Sequence, residues 1–245
     1  MTEEIKTRGI CLRTVEYGES DRIITLLTDN KGKIAVRARG VSSAKSKLRL
    51  AATPFAFGEY ILTIKSGFYT LKTFDYADSF QTISDDIFRY YAGAAALETT
   101  DKLNEEEVPD VHCFTCLLRF LSRVCYEGGG EGDFVPFVLD MLKLSGYGAS
   151  LGNYRASTDY SYYYFDLEEG GFVPSEKKGA SSVKLTREAA ALFAAYIGGE
   201  RPQNPSRFSL AEILALLSMY IRVKTGKTVR SFFELASLLR GESPV

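Results

Sequence analysis

The first 80 residues alternate between hydrophobic and polar positions in short runs, as β-strands with one buried face do. Turn-forming residues separate the runs, at Gly18 to Asp21, at Asp29 to Gly32 and at Ser66-Gly67. The runs themselves are rich in β-branched and aromatic residues. The pattern predicts five strands, over Gly9–Tyr17, Arg22–Thr28, Lys33–Val41, Phe55–Lys65 and Phe68–Ala77. Five short strands in so few residues are typical of a small barrel.

Beyond residue 80 the hydrophobic positions recur every three or four residues, which is the period of a helix with one buried side. A first helix is predicted to begin near Ser84, and five more cover Val111–Tyr126, Phe134–Ser145, Leu185–Ile197, Ser209–Thr225 and Arg230–Leu239. Ser209 and Glu212 have the spacing of an N-terminal capping box. The insert between the helical groups, Gly146 to Ser182, contains a tyrosine-rich, hairpin-like run.

These patterns predict an α+β protein, with a barrel domain over residues 1–80 and a helical domain over 81–245 that the insert interrupts at 146–182. The barrel class that fits five strands is the oligonucleotide-binding (OB) barrel. The tyrosine cluster of the insert (Tyr160, Tyr162, Tyr163 and Tyr164) could stack on bases, but no basic residue is close to it in sequence. Packing of a small β-subdomain is therefore the favoured interpretation of the cluster.

Charge changes this picture at one place. The net charge is −1, yet residues 1–80 hold 13 Lys and Arg against 9 Asp and Glu, a net of +4, and the remainder carries −5. Positive charge is concentrated between positions 31 and 49, where no acidic residue occurs: Lys31, Lys33, Arg37, Arg39, Lys45, Lys47 and Arg49. Such a run indicates a polyanionic partner, because each phosphate that Lys or Arg neutralises releases condensed counterions. A solvated basic face without a ligand is the alternative.

The strand pattern favours nucleic acid, since OB barrels bind single strands with a basic groove and aromatic platforms. On the third strand Lys33, Arg37 and Arg39 alternate with apolar residues and so share one face. The predicted DNA-binding residues are Lys33, Arg37, Arg39, Lys45, Lys47 and Arg49, assisted by Arg13 and Arg22. The aromatic candidates are Phe57, Tyr60, Phe68, Tyr69, Phe74 and Tyr76, of which about half are expected in the core.

No enzyme signature stands out. The single histidine, His112, begins an apolar helix, and the Cys113 and Cys116 pair lies in the same helix without the tight turn of a zinc knuckle, so buried thiols are favoured. Thr225 to Thr228 (TGKT) lacks the earlier glycine of a phosphate-binding loop. No secretory signal and no apolar stretch of about 18 residues is present, which favours a cytoplasmic protein.

Several segments occur in the order seen in the RecO family of recombination mediators. They are YGESDRI (Tyr17 to Ile23), the T-x-x-x-G-K run that ends at Gly32-Lys33, and ARG followed by a Ser/Lys-rich loop (Ala38 to Arg49). The chain resembles this family over nearly its whole length. The resemblance implies an OB barrel, a helical domain and a zinc-ribbon-like insert. It also implies a nucleoid-associated, non-enzymatic DNA repair role: binding single- and double-stranded DNA, annealing complementary strands, and helping to load recombinase onto DNA coated by single-stranded DNA-binding protein (SSB). The implied partners are RecR and the C-terminal tail of SSB.

The chain departs from the family at the insert, where many members have two Cys-x-x-Cys pairs. The corresponding positions are Tyr154, Ser157, Pro174 and Lys177. We therefore predict that the insert holds no zinc, that no cofactor is needed, and that packing stabilises the hairpin. Two other functions stay open from the sequence: a protein-interaction adaptor whose barrel contacts only protein, and an RNA-binding factor, since recognition of the 2′-hydroxyl leaves no signature here.

Overall fold

The computed structural model of the protein describes residues 3–43, 46–157 and 159–242. The chain divides into two compact units. The barrel unit comprises Met1–Gln81 and Asn104–Leu118, and the helical unit comprises Thr82–Leu103 and Arg119–Val245. The chain thus leaves the barrel unit, forms one helix of the other unit, and returns. A domain boundary placed at residue 80 leaves Asn104–Leu118 out of the barrel unit.

The barrel unit is built on five strands, in the number and order that the hydrophobic pattern predicts. Strand β1 pairs antiparallel with β2 and β4, β2 pairs with β3, and β4 pairs with β5. A short parallel pairing of β3 with β5 completes a closed barrel in the order β1-β2-β3-β5-β4. The strands are β1 (Glu3–Tyr17), β2 (Asp21–Thr28), β3 (Gly32–Ala38), β4 (Phe57–Lys65) and β5 (Phe68–Asp78).

A one-residue irregularity in β1 changes which residues face outward. Cys11 lies opposite Leu26, whereas Arg13 lies opposite Thr25, so one extra residue is accommodated between the two pairs. Cys11 is buried in the barrel core. Past the bulge the alternation is reversed, and the side chain of Arg13 is exposed. The bulge therefore places the odd-numbered residues at the end of β1 on the outer surface.

One end of the barrel is closed by the segment that follows β3. A short 3-10 helix, Leu50–Ala52, buries Ala51 and Ala52 in the core. The buried Tyr60 hydroxyl, on β4, is 3.2 Å from the carbonyl oxygens of Ala51 and of Ala56, to which it donates. Cys11 also exchanges two backbone hydrogen bonds with this segment, to Ala56 and from Phe55. The segment is thereby fixed to β1 and β4.

Asn104–Leu118 packs against the outer surface of the barrel at the start of β3 and of β4. The Glu107 N–H donates to the carbonyl oxygen of Lys33 at 2.9 Å. The backbone of Val108 lies directly against Gly32, and the ring of Phe114 is 6.3 Å from that of Phe57. Gly32 has a φ of +68°, which glycine adopts without strain, and it has no Cβ to separate it from Val108. The return of the chain to the barrel thus depends on this glycine.

Replacing Gly32 with alanine is expected to destabilise the protein more than replacing Gly18. Both glycines have a φ of +68°, so each substitution costs about 1–2 kcal/mol of backbone strain. Only at Gly32 does the new Cβ meet other atoms, the backbone of Val108, which adds about 1–3 kcal/mol. Urea denaturation of the two variants measures the difference. Equal losses would show that this segment is not held against β3.

The helical unit contains the second half of α2 and the other five helices. Helix α2 begins in the barrel unit and ends in the helical unit. Phe134 is central to the packing, with its ring 5.8 Å from that of Phe120 and 5.3 Å from that of Phe232. The helices are α1 (Ile87–Leu103), α2 (Val111–Tyr126), α3 (Phe134–Leu144), α4 (Arg187–Ile197), α5 (Arg207–Thr225) and α6 (Ser231–Leu239). Among the described residues, no helix is both long enough and apolar enough to cross a membrane.

Three predicted helix starts were wrong. Helix α4 begins at Arg187 and not at Leu185, because Leu185 and Thr186 belong to a strand. Helix α1 begins at Ile87, where Asp86 rather than Ser84 accepts the capping hydrogen bond, from Arg89. Helix α5 begins at Arg207 with Ser206 as its N-cap, so Ser209 is already helical. Glu212 does not complete a capping box at Ser209, because its carboxylate binds the backbone N–H and hydroxyl of Thr186 instead.

The insert forms a three-stranded antiparallel sheet in the order β7-β6-β8. Its strands are β6 (Tyr162–Asp166), β7 (Gly171–Val173) and β8 (Ser182–Thr186). One face is packed on helices, since the ring of Phe165 lies 5.4 Å from that of Phe193 on α4 and 5.7 Å from that of Tyr220 on α5. Asp166 fixes the turns by accepting hydrogen bonds from Ser181 and Ser182 and from two backbone N–H groups. These contacts hold the sheet through packing and hydrogen bonding.

The positions that correspond to zinc ligands in many relatives take part in local packing. The ring of Tyr154 is 5.0 Å from that of Phe172. The Ser157 N–H donates to the Tyr163 hydroxyl at 2.9 Å, and Pro174 precedes a short 3-10 helix that ends at Lys177. Within the ranges that the structure describes, no group of three His, Cys, Asp or Glu residues converges as a metal site requires.

Candidate nucleic-acid interface

The exposed end of β1, β2 and β3 forms one continuous outer surface. Val15 lies opposite Ile23, and Ile23 lies opposite Arg37, so the three side chains form a row across the strands. Tyr17 lies opposite Asp21 at the end of the hairpin. We call this surface the strand face and define it by Arg13, Val15, Tyr17, Asp21, Ile23 and Arg37.

Asp21 organises the strand face. Its carboxylate accepts hydrogen bonds from Arg37 Nε at 2.9 Å and from a terminal nitrogen of Arg37 at 2.7 Å. The other carboxylate oxygen accepts the Gly40 N–H at 2.9 Å. The hydrogen bond from Gly40 and the guanidinium of Arg37 hold the pKa of Asp21 below its usual range. Asp21 therefore stays ionised and fixes the direction of Arg37.

Arg37 also lies over an exposed aromatic ring. Its guanidinium carbon is 5.1 Å from the centroid of the Tyr17 ring, a cation–π contact. Tyr17 and Val15 are each 51 % exposed, although both are large and hydrophobic. An exposed ring next to a guanidinium group has the two components that single-strand binding requires. The sequence reasoning missed Tyr17, although its alternation with Arg13 and Val15 was the signal that could have found it.

Three basic residues that follow β3 in sequence are exposed. Arg39 is exposed, and the Ser42 N–H donates to the carbonyl oxygen of Ser20, which fixes the departing chain to the β1–β2 turn. Lys47 and Arg49 are exposed in the turn that precedes the 3-10 helix. Lys45 lies outside the described residues. We call Arg39, Lys47 and Arg49 the basic turn residues.

Two predicted residues are not on this surface. Lys33 shares the face of Arg37 by alternation, as predicted, but its half of the face is covered and only 8 % of the residue is exposed. Arg22 lies opposite Ala38, a core residue, and its Nε is buried without a hydrogen-bond partner. Both positions limit contact with a large ligand, so neither is kept in the proposed interface.

The aromatic candidates divide between core and surface. Tyr60 is fully buried and Phe74 packs against the same core. Tyr69 packs against the core, and its burial, together with the nearby Glu107 carboxylate, raises its pKa. Phe68, at the tip of the β4–β5 hairpin, is 76 % exposed, and Tyr76 is 51 % exposed. The surface aromatics are therefore Phe68 and Tyr76 in addition to Tyr17.

Comparison with known proteins finds a family match for each of the two parts of the chain. A profile described as Recombination protein O N terminal matches residues 1–80, and one described as Recombination protein O C terminal matches residues 84–232. The chain is 32 % identical over 190 residues to the DNA repair protein RecO of Bacillus pumilus, an alignment that covers 76 % of this chain and 73 % of the relative.

Other relatives agree with this match. The DNA repair protein RecO of Bacillus subtilis is 31 % identical over 171 residues, which cover 69 % of this chain and 66 % of the relative. The DNA repair protein RecO of an Exiguobacterium species is 30 % identical over 191 residues, covering 77 % and 76 %. The two profiles together extend from the first strand of the barrel into the last helix. The chain therefore belongs to the RecO family.

Proposed function

We propose that this protein acts in DNA repair and recombination by binding DNA through the strand face and the basic turn residues. The observation that carries the proposal is the partly exposed guanidinium of Arg37 over the exposed ring of Tyr17, in a chain of the RecO family. Arg13 is exposed on the same strand face, and the basic turn residues are exposed after β3. The closed barrel with strand order β1-β2-β3-β5-β4 supports its assignment to the OB class. Phosphate contacts carry no base information, so binding is largely independent of sequence.

Annealing of complementary strands follows from the same chemistry. Two DNA strands repel each other through their phosphates, and a surface with several guanidinium and ammonium groups lowers that repulsion when both strands are bound. Annealing needs no energy source, because base pairing itself is favourable. The names of the relatives support a repair role, and the family resemblance supports recombinase loading onto SSB-coated DNA with RecR and the SSB tail as partners.

A strand-annealing assay tests this proposal. Two complementary oligonucleotides are mixed with the protein, with and without SSB, at salt concentrations from about 50 to 200 mM. We expect faster duplex formation than without the protein, on SSB-coated strands as well as on bare ones, and a steep decline with salt. Annealing at the uncatalysed rate, together with DNA binding that does not vary with salt, would favour a protein-interaction adaptor. Tighter binding of RNA than of DNA of equal length would favour an RNA-binding factor.

A further inference from the structure

The sheet of the insert presents a second surface that combines aromatic rings with basic groups. Along β6 the side chains alternate, so Phe165 and Tyr163 lie on the packed face while Tyr162 and Tyr164 lie on the other. Tyr162 is 48 % exposed, and Lys184 on β8 is exposed directly opposite Tyr164. We call the surface formed by Tyr162, Tyr164, Lys178 and Lys184 the tyrosine face.

Two lysines contact the rings of the tyrosine face. The Nζ of Lys184 is 3.4 Å from the centroid of the Tyr162 ring. The Nζ of Lys178 is 4.7 Å from the centroid of the Tyr164 ring and donates a hydrogen bond to its hydroxyl at 3.3 Å. Basic groups are therefore near these tyrosines in space, although none is close to them in sequence. Strand pairing and the β7–β8 connection bring the lysines to rings that are distant in sequence.

These lysine–tyrosine contacts are weak enough to be exchanged for a ligand. A cation–π contact at an exposed site shifts an equilibrium by only about 2- to 5-fold. Stacking of a nucleic-acid base on an aromatic side chain contributes about 5- to 100-fold per base. A base can thus displace the ammonium group from the ring, and the ammonium, on a flexible stem, remains close enough to meet the adjacent phosphate.

We propose that the tyrosine face binds single-stranded DNA, with bases stacked on Tyr162 and Tyr164 and phosphates held by Lys178 and Lys184. The two tyrosines are two residues apart on one strand, so their attachment points are separated by about 6.6 Å. This distance is close to two steps of the spacing of about 3.4 Å found along each strand of duplex DNA, so the two rings match alternate bases of a stacked strand. The tyrosine face lies in the helical unit and the strand face in the barrel unit, so the protein has two separate DNA-binding surfaces.

Tryptophan fluorescence tests the proposal directly, because the chain contains no tryptophan. Tyr162→Trp introduces one fluorophore that preserves stacking, and titration with oligo(dT) is expected to quench its emission. The control is Phe233→Trp, an exposed position on α6 outside the sheet, whose emission is expected to stay constant. Constant emission at position 162 under conditions where the protein binds DNA would overturn the proposal. Stronger quenching by oligo(rU) than by oligo(dT) would overturn the assignment to DNA.

Paired variants separate stacking from structure. Tyr162→Ala with Tyr164→Ala is expected to weaken oligo(dT) binding by about 5-fold or more, whereas Tyr162→Phe with Tyr164→Phe keeps both rings and the wild-type affinity. Lys178→Gln with Lys184→Gln is expected to lower the salt slope of single-strand binding by about 1.4, which corresponds to two phosphates. Equal affinity of the Ala and Phe pairs would contradict stacking. Because the fluorophore at position 162 reports only this surface, failure here is distinguishable from failure at the strand face.

Discussion

The triple variant Arg39→Gln, Lys47→Gln, Arg49→Gln is expected to bind single-stranded DNA about 100-fold more weakly than the wild type at about 0.1 M salt. Each lost phosphate contact removes the release of about 0.7 counterions, so three contacts reduce the slope of log affinity against log salt by about 2. At 0.1 M salt that slope change equals two logarithmic units of affinity. Fluorescence anisotropy of a labelled oligonucleotide over a salt series measures both quantities.

The matched control is Lys6→Gln, Lys65→Gln, Lys72→Gln, which removes the same charge from exposed positions on β1, β4 and β5. Lys6 and Lys72 form surface ion pairs, with Glu59 and Glu4, whose loss costs little. If both triple variants lose affinity equally, the effect is one of net charge and the basic turn residues are not the interface. Arg37 is omitted because its replacement would also leave the Asp21 carboxylate without its cation.

Replacing Tyr60 with alanine is expected to cost about 3–5 kcal/mol of barrel stability. The ring is fully buried, 4.5 Å from that of Phe74, and its removal leaves a cavity that a closed barrel cannot easily fill. Burial also raises the pKa of the Tyr60 phenol well above its usual range, so the hydroxyl remains a donor throughout. Amide hydrogen exchange of Phe57–Lys65, followed by mass spectrometry, reports the opening free energy of β4 itself.

Tyr60→Phe separates the ring from its hydroxyl. This variant keeps the packing but removes the hydroxyl that donates to the carbonyl oxygens of Ala51 and Ala56, at an expected cost of about 1–2 kcal/mol. The Ala56 carbonyl keeps the Cys11 N–H as a donor. Faster exchange should then extend to the segment around Leu50–Ala52, which the hydroxyl fixes. A Phe variant as unstable as the Ala variant would mean that the hydrogen bonds, and not the packing, hold this end of the barrel.

The sequence was sufficient for what depends on local alternation. The five strands follow from period-two patterns, and the inward direction of Ile34, Val36 and Ala38 follows from the same rule. The burial of Lys33 could not be predicted from alternation. Its face is covered by a segment that follows it in sequence by some 70 residues, and only the tertiary contact between Glu107 and Lys33 shows this.

Contacts between strands and helices explain the other differences. Glu212 has the spacing of a residue that caps at Ser209. Its carboxylate instead accepts two hydrogen bonds from Thr186 on β8, which is distant in sequence. In the same way, the pairing of β6 with β8 places Lys184 opposite Tyr164 and its ammonium group over the ring of Tyr162. The local sequence around the tyrosines does not reveal this contact. The bulge after Cys11 reverses the alternation of β1, so the direction of Arg13 depends on one extra residue that the pattern does not reveal.

The return of Asn104–Leu118 to the barrel unit affects the order in which the protein can be made. On the ribosome, all five strands have been synthesised once Asp78 is complete, but the backbone that covers Gly32 and Lys33 follows only after the whole of α1. Until α1 and the segment after it have been synthesised, the outer surface of β3 in the nascent barrel therefore lacks its cover. An expression fragment meant to fold by itself should accordingly extend to Leu118, since one that stops at residue 80 would lack the protection of β3.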